Sequence, residues 1–246
     1  MSRDWDAATY DRVSAPQVAW ADAVLDRLAL RGDERVLDAG CGSGRVTRML
    51  VERLPDGEVV AVDQSESMVE AARAALPGVR VIHAELTALE LEEPVDAVFS
   101  NAVFHWVPDH EALFARMHAA LRPGGRLVAQ CGGRGNVAAF HDAANAVGEE
   151  EPYARHLAGW VGPWNFAGPE ETEERLLRAG FEEVACSLRP WPVVPPDPTG
   201  YLRTVCLGYH LERLPEDLRA PYVEAVAARV SELDYVRLDI DARRPA

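Results

Sequence analysis

The chain has 246 residues, 48% of them hydrophobic, and a formal net charge of −15. That length accommodates one large α/β domain, or a domain with a small appendage, around a sizeable core. The acidity argues against nucleic-acid and anionic membrane partners, and the absence of lysine (all 25 cations are arginine) excludes Schiff-base chemistry and the lysine phosphate clamp.

In chain order, the opening MSRDWDAATYDR is polar and lacks the apolar core of a signal peptide, and no apolar run is long enough to span a bilayer. A cytoplasmic chain is expected. Arg35–Ala39 reads as a buried strand running into a glycine loop, and Val46–Leu54 as a helix stopped by Pro55-Asp56-Gly57. Glu58–Asp63 is a second, valine-rich strand. Ser65 is an N-cap for a helix with Met68, Val69, Ala72 and Leu76 on one face, ending at Pro77-Gly78. Arg80–Ala84 is a third strand, with His83 read as a core histidine, and Val95–Ser100 a fourth. Asp109 to Leu121 has the apolar spacing of an amphipathic helix, ended by Pro123-Gly124-Gly125, and Arg126–Cys131 is a fifth strand.

Beyond Cys131 the pattern loosens. Val137–Val147 is helix-like, and Tyr153, Trp160, Trp164 and Phe166 form an aromatic cluster. Glu170–Ala179 is helical, Glu183–Leu188 a strand, and proline-rich Arg189–Gly200 a loop. Tyr201–Leu214 and Pro215–Leu233 read as helices, and Tyr235–Ile240 alternates like a half-exposed strand. Cys41, Cys131, Cys186 and Cys206 are far apart and form no CxxC pair, so neither a metal site nor a disulfide framework is expected. The whole predicts an α/β fold, Rossmann-like and doubly wound. Its mostly parallel seven-stranded sheet carries helices on both faces and a helical lid or insert.

In such a sheet ligands sit at the carboxyl ends of the strands. The stretch VLDAGCGSGR, residues 36–45, places Gly40, Gly42 and Gly44 at the first such end, with Asp38 two residues before them. A dinucleotide loop wants a third small residue where Arg45 or Thr47 stands, and its pyrophosphate would be opposed by Asp38. A cationic ligand is helped by the same charge. S-adenosylmethionine fits: glycine lets its methionine end approach, backbone N–H groups can meet its carboxylate, and Asp38 lends potential to its cationic portion. Asp63, 19 residues after Gly44, can accept both ribose hydroxyls. Met68 can cover an adenine face.

VLDAGCGSG, AVD at the second strand end, SNAVFHWVPDH at the fourth and LRPGGRLVAQ together resemble a class I S-adenosylmethionine-dependent methyltransferase. Within that class the chain most resembles the trans-aconitate methyltransferase group, with similarity to the methyltransferase that esterifies malonyl carrier protein. The resemblance covers residues 1–131 and includes Trp5 and Tyr10, which in that group lie on a helix folding over the cofactor. It implies one domain over 1–246: a helical cover at 1–34, a cofactor half at 35–131 and an acceptor half at 132–246.

The resemblance also implies roles. Tyr10, Asp38, Gly40, Gly42, Gly44, Asp63, Gln64 and Met68 would hold S-adenosylmethionine and its product S-adenosylhomocysteine. Glu85 would replace the usual adenine-binding aspartate with a side chain one methylene longer. Leu86 would offer its N–H to the adenine ring, and Asn101 its carbonyl to the ammonium. His105 stands where the group often has glutamine; it and His141 are candidate catalytic residues, or hydrogen-bonding wall residues. Trp106, Arg134, Trp164 and Arg203 are candidate acceptor contacts, with Arg155 a further cation. No proline pair of the amino-nucleobase methyltransferases follows the fourth strand.

The expected reaction is in-line methyl transfer to a small molecule, first of all O-methylation of a carboxylic acid, without a metal. O-, N- or C-methylation of a natural-product phenol, amine or carbon remains open, as does a non-catalytic S-adenosylmethionine-binding module. A monomer or homodimer without nucleic-acid or membrane partners is expected.

Overall fold

The computed structural model describes residues 15–246. Helix α1 (Ala15–Leu28) precedes β1 (Arg35–Ala39), α2 (Arg45–Arg53), β2 (Glu58–Asp63), α3 (Glu66–Ala75) and β3 (Arg80–His83). Then come β4 (Val95–Asn101), α4 (His110–Ala120) and β5 (Leu121–Gly132). The rest comprises α5 (Ala138–Gly148), α6 (Ala154–Leu157), α7 (Pro169–Arg178), β6 (Glu182–Pro190), α8 (Pro198–Tyr201), α9 (Gly208–Arg213), α10 (Glu216–Ala227) and β7 (Val236–Arg243).

The seven strands form one sheet in the order β3-β2-β1-β4-β5-β7-β6. β1 to β5 run parallel and β7 runs antiparallel to β5. The order reverses between β1 and β4, so the switch point lies beside the glycine loop, where open α/β sheets bind ligands. Ser65 caps α3 by accepting from the Met68 N–H, and Asp109 caps α4 by accepting from the Ala112 N–H. Before α7, whose first residue is Pro169, the Glu171 carboxylate accepts from the Gly168 N–H.

Both faces of the sheet are covered, which explains the continuous apolar strands. On one face Val36, Ala97, Phe99 and Val128 pack with Ala21, Val24, Leu25 and Leu28 of α1. On the other, Leu37, Val98, Leu127, Ala129, Leu238 and Ile240 pack with Leu113, Phe114 and Met117 of α4 and Leu176 of α7.

The chain forms two compact units. The first holds the sheet: the described residues to 134, 165–189 and 237–246. The second, 135–164 and 190–236, is mostly helical. The two units are thus interleaved along the sequence.

Four local expectations change. α4 stops at Ala120, and Leu121 already belongs to β5, because Leu121 pairs with Val95 across an irregularity in the β4–β5 register. His83 is not core: β3 is the sheet edge, and the exposed imidazole contacts the Gln64 carbonyl through Nε2 at 3.0 Å. The stretch read as one helix over 201–214 divides into α8, a π-helical turn at Leu202–Cys206 and α9. β-Branched Thr204 and Val205 and then Gly208 weaken a regular helix there. β7 is not half-exposed: Arg237 and Asp239 are 1% and 3% exposed because α1 covers that face.

Candidate active site

The glycine loop is built for shape. Gly40, Gly42 and Gly44 all have positive φ, at +92°, +53° and +88°. A β-carbon on Gly40 would overlap Val103, and one on Gly44 would crowd Leu76. At Gly42 the nearest such atom is the Met68 sulfur, 4.0 Å away. Gly40 and Gly44 therefore serve packing, while Gly42 leaves open space beside Met68.

The N–H groups at these positions already have partners within the fold. Gly40 and Cys41 donate to the Val62 carbonyl at 2.8 and 2.9 Å, Gly42 donates to Asp63 Oδ2 at 2.8 Å, and Gly44 donates to the Cys41 carbonyl. Pairing with the end of β2, and for Gly44 a bond within the loop, engages these donors.

Asp63 also accepts from the Ser65 N–H through Oδ1 at 2.9 Å. It is half-buried, and burial raises its carboxyl above the usual range against the pull of these N–H groups. Each oxygen keeps lone pairs for a further donor, as ribose recognition requires. Gln64 is half-buried, Leu86 is buried, and Glu85 is exposed before the 3-10 turn Leu86–Ala88.

Asp38 is 1% exposed and accepts from the Thr47 hydroxyl at 2.7 Å. Burial pushes its carboxyl up to about 7; Thr47 works against this shift and the nearby Asp63 charge adds to it. Asp38 is thus a buried acid poised near neutrality, whose ionised form a cation would stabilise.

At the end of β4, Ser100 Oγ donates to the Ala39 carbonyl at 2.7 Å, tying β4 to the glycine loop. Ala102 takes a left-handed φ of +63°, and its N–H donates to the Gln130 carbonyl at 2.7 Å. This turn sets half-buried Asn101 at the strand end and Val103 against Gly40.

His105 is 7% exposed. Its Nδ1 accepts from the Gly132 N–H at 3.2 Å, which places the ring proton on Nε2. Its ring stacks on Phe166 at 5.7 Å and lies 4.7 Å from Trp106, while its carbonyl accepts from the Asn165 N–H. Burial, then repulsion from Arg237 and His110, holds its pKa well below the ordinary value. The ring is therefore neutral, with an N–H donor at Nε2 rather than a base.

His141, Trp164 and Arg203 lie in the second unit. His141 is half-buried, 4.6 Å from the Trp164 ring, and burial drops its pKa to about 4. His210, 2% exposed, sits among Trp160, Trp164, Phe140 and Tyr222 and is pushed down to about 3 by burial and by His141. Arg203 is exposed on the π-helical turn. Arg155 is exposed and pairs with Glu151.

Arg134, in the first unit, is also exposed and lies 3.6 Å from both Glu170 and Glu171. Two carboxylates already face it, which argues against a carboxylate clamp there. Tyr10 and Trp5 lie outside the described residues.

The sequence reading missed Thr47, used there only against a dinucleotide, and the buried group Gln130, Arg237 and Asp239. In YVRLDI the charged positions carry the alternation of a solvent-facing strand, so composition gave no sign of them. The one available signal was their place at the end of a strand in a doubly wound sheet.

Residues 36–125 match the family described as "Methyltransferase domain". Over 249 aligned residues the chain is 31% identical to a trans-aconitate 2-methyltransferase of Variovorax paradoxus (strain S110), covering 96% of this chain and 92% of that protein. It is 32% identical to the Azoarcus sp. (strain BH72) protein of the same name, over 92% and 89% of the two chains. Among solved structures, phosphoethanolamine N-methyltransferase 2 of Haemonchus contortus, in complex with S-adenosyl-L-methionine, superposes with a TM-score of 0.65. That match has 18% identity and covers 98% of this chain and 57% of the other.

Sheet order, switch-point loop and kinship agree: the chain belongs to the class I S-adenosylmethionine-dependent methyltransferases. Within that family it resembles the trans-aconitate methyltransferase group.

Proposed function

We propose that this enzyme O-methylates a small-molecule polycarboxylic acid of the trans-aconitate type by in-line transfer. The observation that carries the reading is kinship along nearly the whole chain with proteins named trans-aconitate 2-methyltransferase, including the acceptor-side half.

S-adenosylmethionine supplies a methyl group already activated on a positively charged sulfur. The open face of Gly42 would admit it, Asp63 would accept from the ribose hydroxyls, and Met68, Gln64, Glu85 and Leu86 would surround the adenine. Asp38 and the Asn101 carbonyl favour the cationic end. An acceptor carboxylate is ionised at neutral pH and needs no base. His105 then acts as a fixed Nε2–H donor that orients the acceptor within a wall made with Trp106 and Phe166. The chain's task is alignment of nucleophile, methyl and sulfur, the main source of rate in such a displacement. No metal, nucleic acid or membrane takes part, and the enzyme works as a monomer or homodimer in the cytoplasm.

The test is incubation with methyl-labelled S-adenosylmethionine and trans-aconitate, alongside phenols and amines. A base-labile methyl ester of the acid is expected. Label in a base-stable ether or amine would overturn the reading.

A further inference from the structure

A polycarboxylate acceptor needs a cation in the site, and the arginines that the sequence offered, Arg134 and Arg203, are exposed. A different arginine meets the geometric requirement. Arg237 is the second residue of β7 and pairs in register with Gly132, the last residue of β5. β7 runs antiparallel to β5, so Arg237 lies at the same end of the sheet as the glycine loop.

Side chains two apart on a strand, or opposite across strands, share a face. Asp38 is opposite Phe99, Asn101 opposite Gln130, and Gln130 opposite Asp239. Arg237 therefore shares one face and one end with Asp38, Asn101 and Gln130. It stands three strands from Asp38, roughly 14 Å at ordinary strand spacing.

The guanidinium is fixed. Its Cζ lies 4.2 Å from the Trp20 ring centroid, and its Nε donates to Gln130 Oε1 at 3.4 Å. Asp239, two residues on, is engaged by Arg27, by Gln130 Nε2 and by Arg189 at 3.0 Å. Gly132, opposite Arg237, also holds His105 Nδ1, so the cation and the Nε2–H donor are set by the same pair of strand ends.

We infer that Arg237 binds a carboxylate of the acceptor other than the one that is methylated. An ion pair on the attacking oxygens would blunt their nucleophilicity, whereas one on a second carboxylate orients the acceptor and selects acids with more than one charge. This rests on the carboxylate O-methylation reading above.

The experiment compares wild type with Arg237→Lys and Arg237→Gln, using trans-aconitate and the monoacid crotonate. The expected result is a KM for trans-aconitate raised tenfold or more, a kcat within a few-fold, and no change for crotonate. S-adenosylmethionine affinity by calorimetry should stay close to wild type in the lysine variant. Equal losses for both acids, or losses that track cofactor affinity, would overturn the inference.

Titration of wild type with trans-aconitate in the presence of S-adenosylhomocysteine separates it from the parent reading. Binding without methyl transfer defeats only that reading, and the variants' binding constants then decide the role of Arg237. No binding of the acid defeats both. A crystal grown with the two compounds gives a check free of variants: a carboxylate on the Arg237 guanidinium is expected, and one bound elsewhere would overturn the assignment.

Discussion

Thr47 holds Asp38 from the first turn of α2, hydroxyl to carboxylate at 2.7 Å, in a place sealed from water. The folded protein keeps the Asp38 proton up to about pH 7, against 3.8 ordinarily. Its contribution to stability is therefore fully present below about pH 4 and is lost as pH rises through about 7. A cationic ligand reverses the preference by stabilising the carboxylate. S-adenosylmethionine affinity is expected to rise as pH climbs through 7, with proton release measurable by calorimetry in buffers of different ionisation enthalpy. Asp38→Asn should flatten both trends; a pH-dependent affinity that survives it would remove Asp38 from the cofactor's field.

Thr47→Val keeps the shape and deletes the donor. Leaving the buried acid unpartnered should cost about 1–3 kcal/mol in denaturant unfolding. It should also shift the pH at which affinity develops upward, since the hydroxyl opposes the burial effect on Asp38. A stability equal to wild type would show that the bond is incidental.

Two glycines in the same loop should behave differently. Gly40→Ala drives a methyl into Val103 in addition to straining a positive φ, together about 2–5 kcal/mol. Val103→Ala should recover the packing part in a double-mutant cycle and leave the backbone part. Gly42→Ala meets open space, so only the backbone strain of about 1–2 kcal/mol is expected. Its methyl would occupy the ligand's side of the loop, so cofactor affinity should fall tenfold or more. If Gly40→Ala and Gly42→Ala lose stability equally, the loop does not divide its glycines this way.

The contrast shows what the sequence makes legible. Glycines, prolines and valine-rich runs are local signals, and they mark β1, β2, the loop between β1 and α2, and the caps Ser65 and Asp109 to within a residue or two. What lies across strands is not local. The loop donors go to Val62 and Asp63 because β2 lies alongside β1, and nothing in VLDAGCGSGR states that. Arg237 and Asp239 look solvent-facing until α1 is laid over them. The acid Asp63 was legible as a strand end, but its second duty, pinning Gly42, was not.

That duty makes Asp63→Asn informative. An amide has one acceptor oxygen, so its NH₂ must face either the Gly42 or the Ser65 N–H. Stability should fall by about 1–3 kcal/mol, and cofactor affinity by roughly 10- to 100-fold as charge-assisted bonds to the ribose are lost. A 2′-deoxyribose analogue should bind wild type more weakly but cost the variant nothing further. An equal penalty in both proteins would leave Asp63 a loop residue only.

His105 decides whether a base is used. Its Nδ1 is spent on Gly132, and its pKa lies well below 6.5, so it stays neutral across the physiological range. Depression of this kind contributes stability above about pH 6.5 that is lost at acid pH, where the ring must take a proton in a buried site. At saturating cofactor, kcat should show no limb attributable to His105 between pH 6 and 9. His105→Gln can accept from Gly132 and still donate into the site, so kcat should remain within about tenfold, whereas loss of a general base costs roughly 10²–10⁴-fold. His105→Phe stacks on Phe166 equally well but strands the Gly132 N–H. It should lose about 1–3 kcal/mol of stability, and also the acceptor KM that glutamine preserves. A glutamine variant as inactive as the phenylalanine one would restore the imidazole as the reacting base.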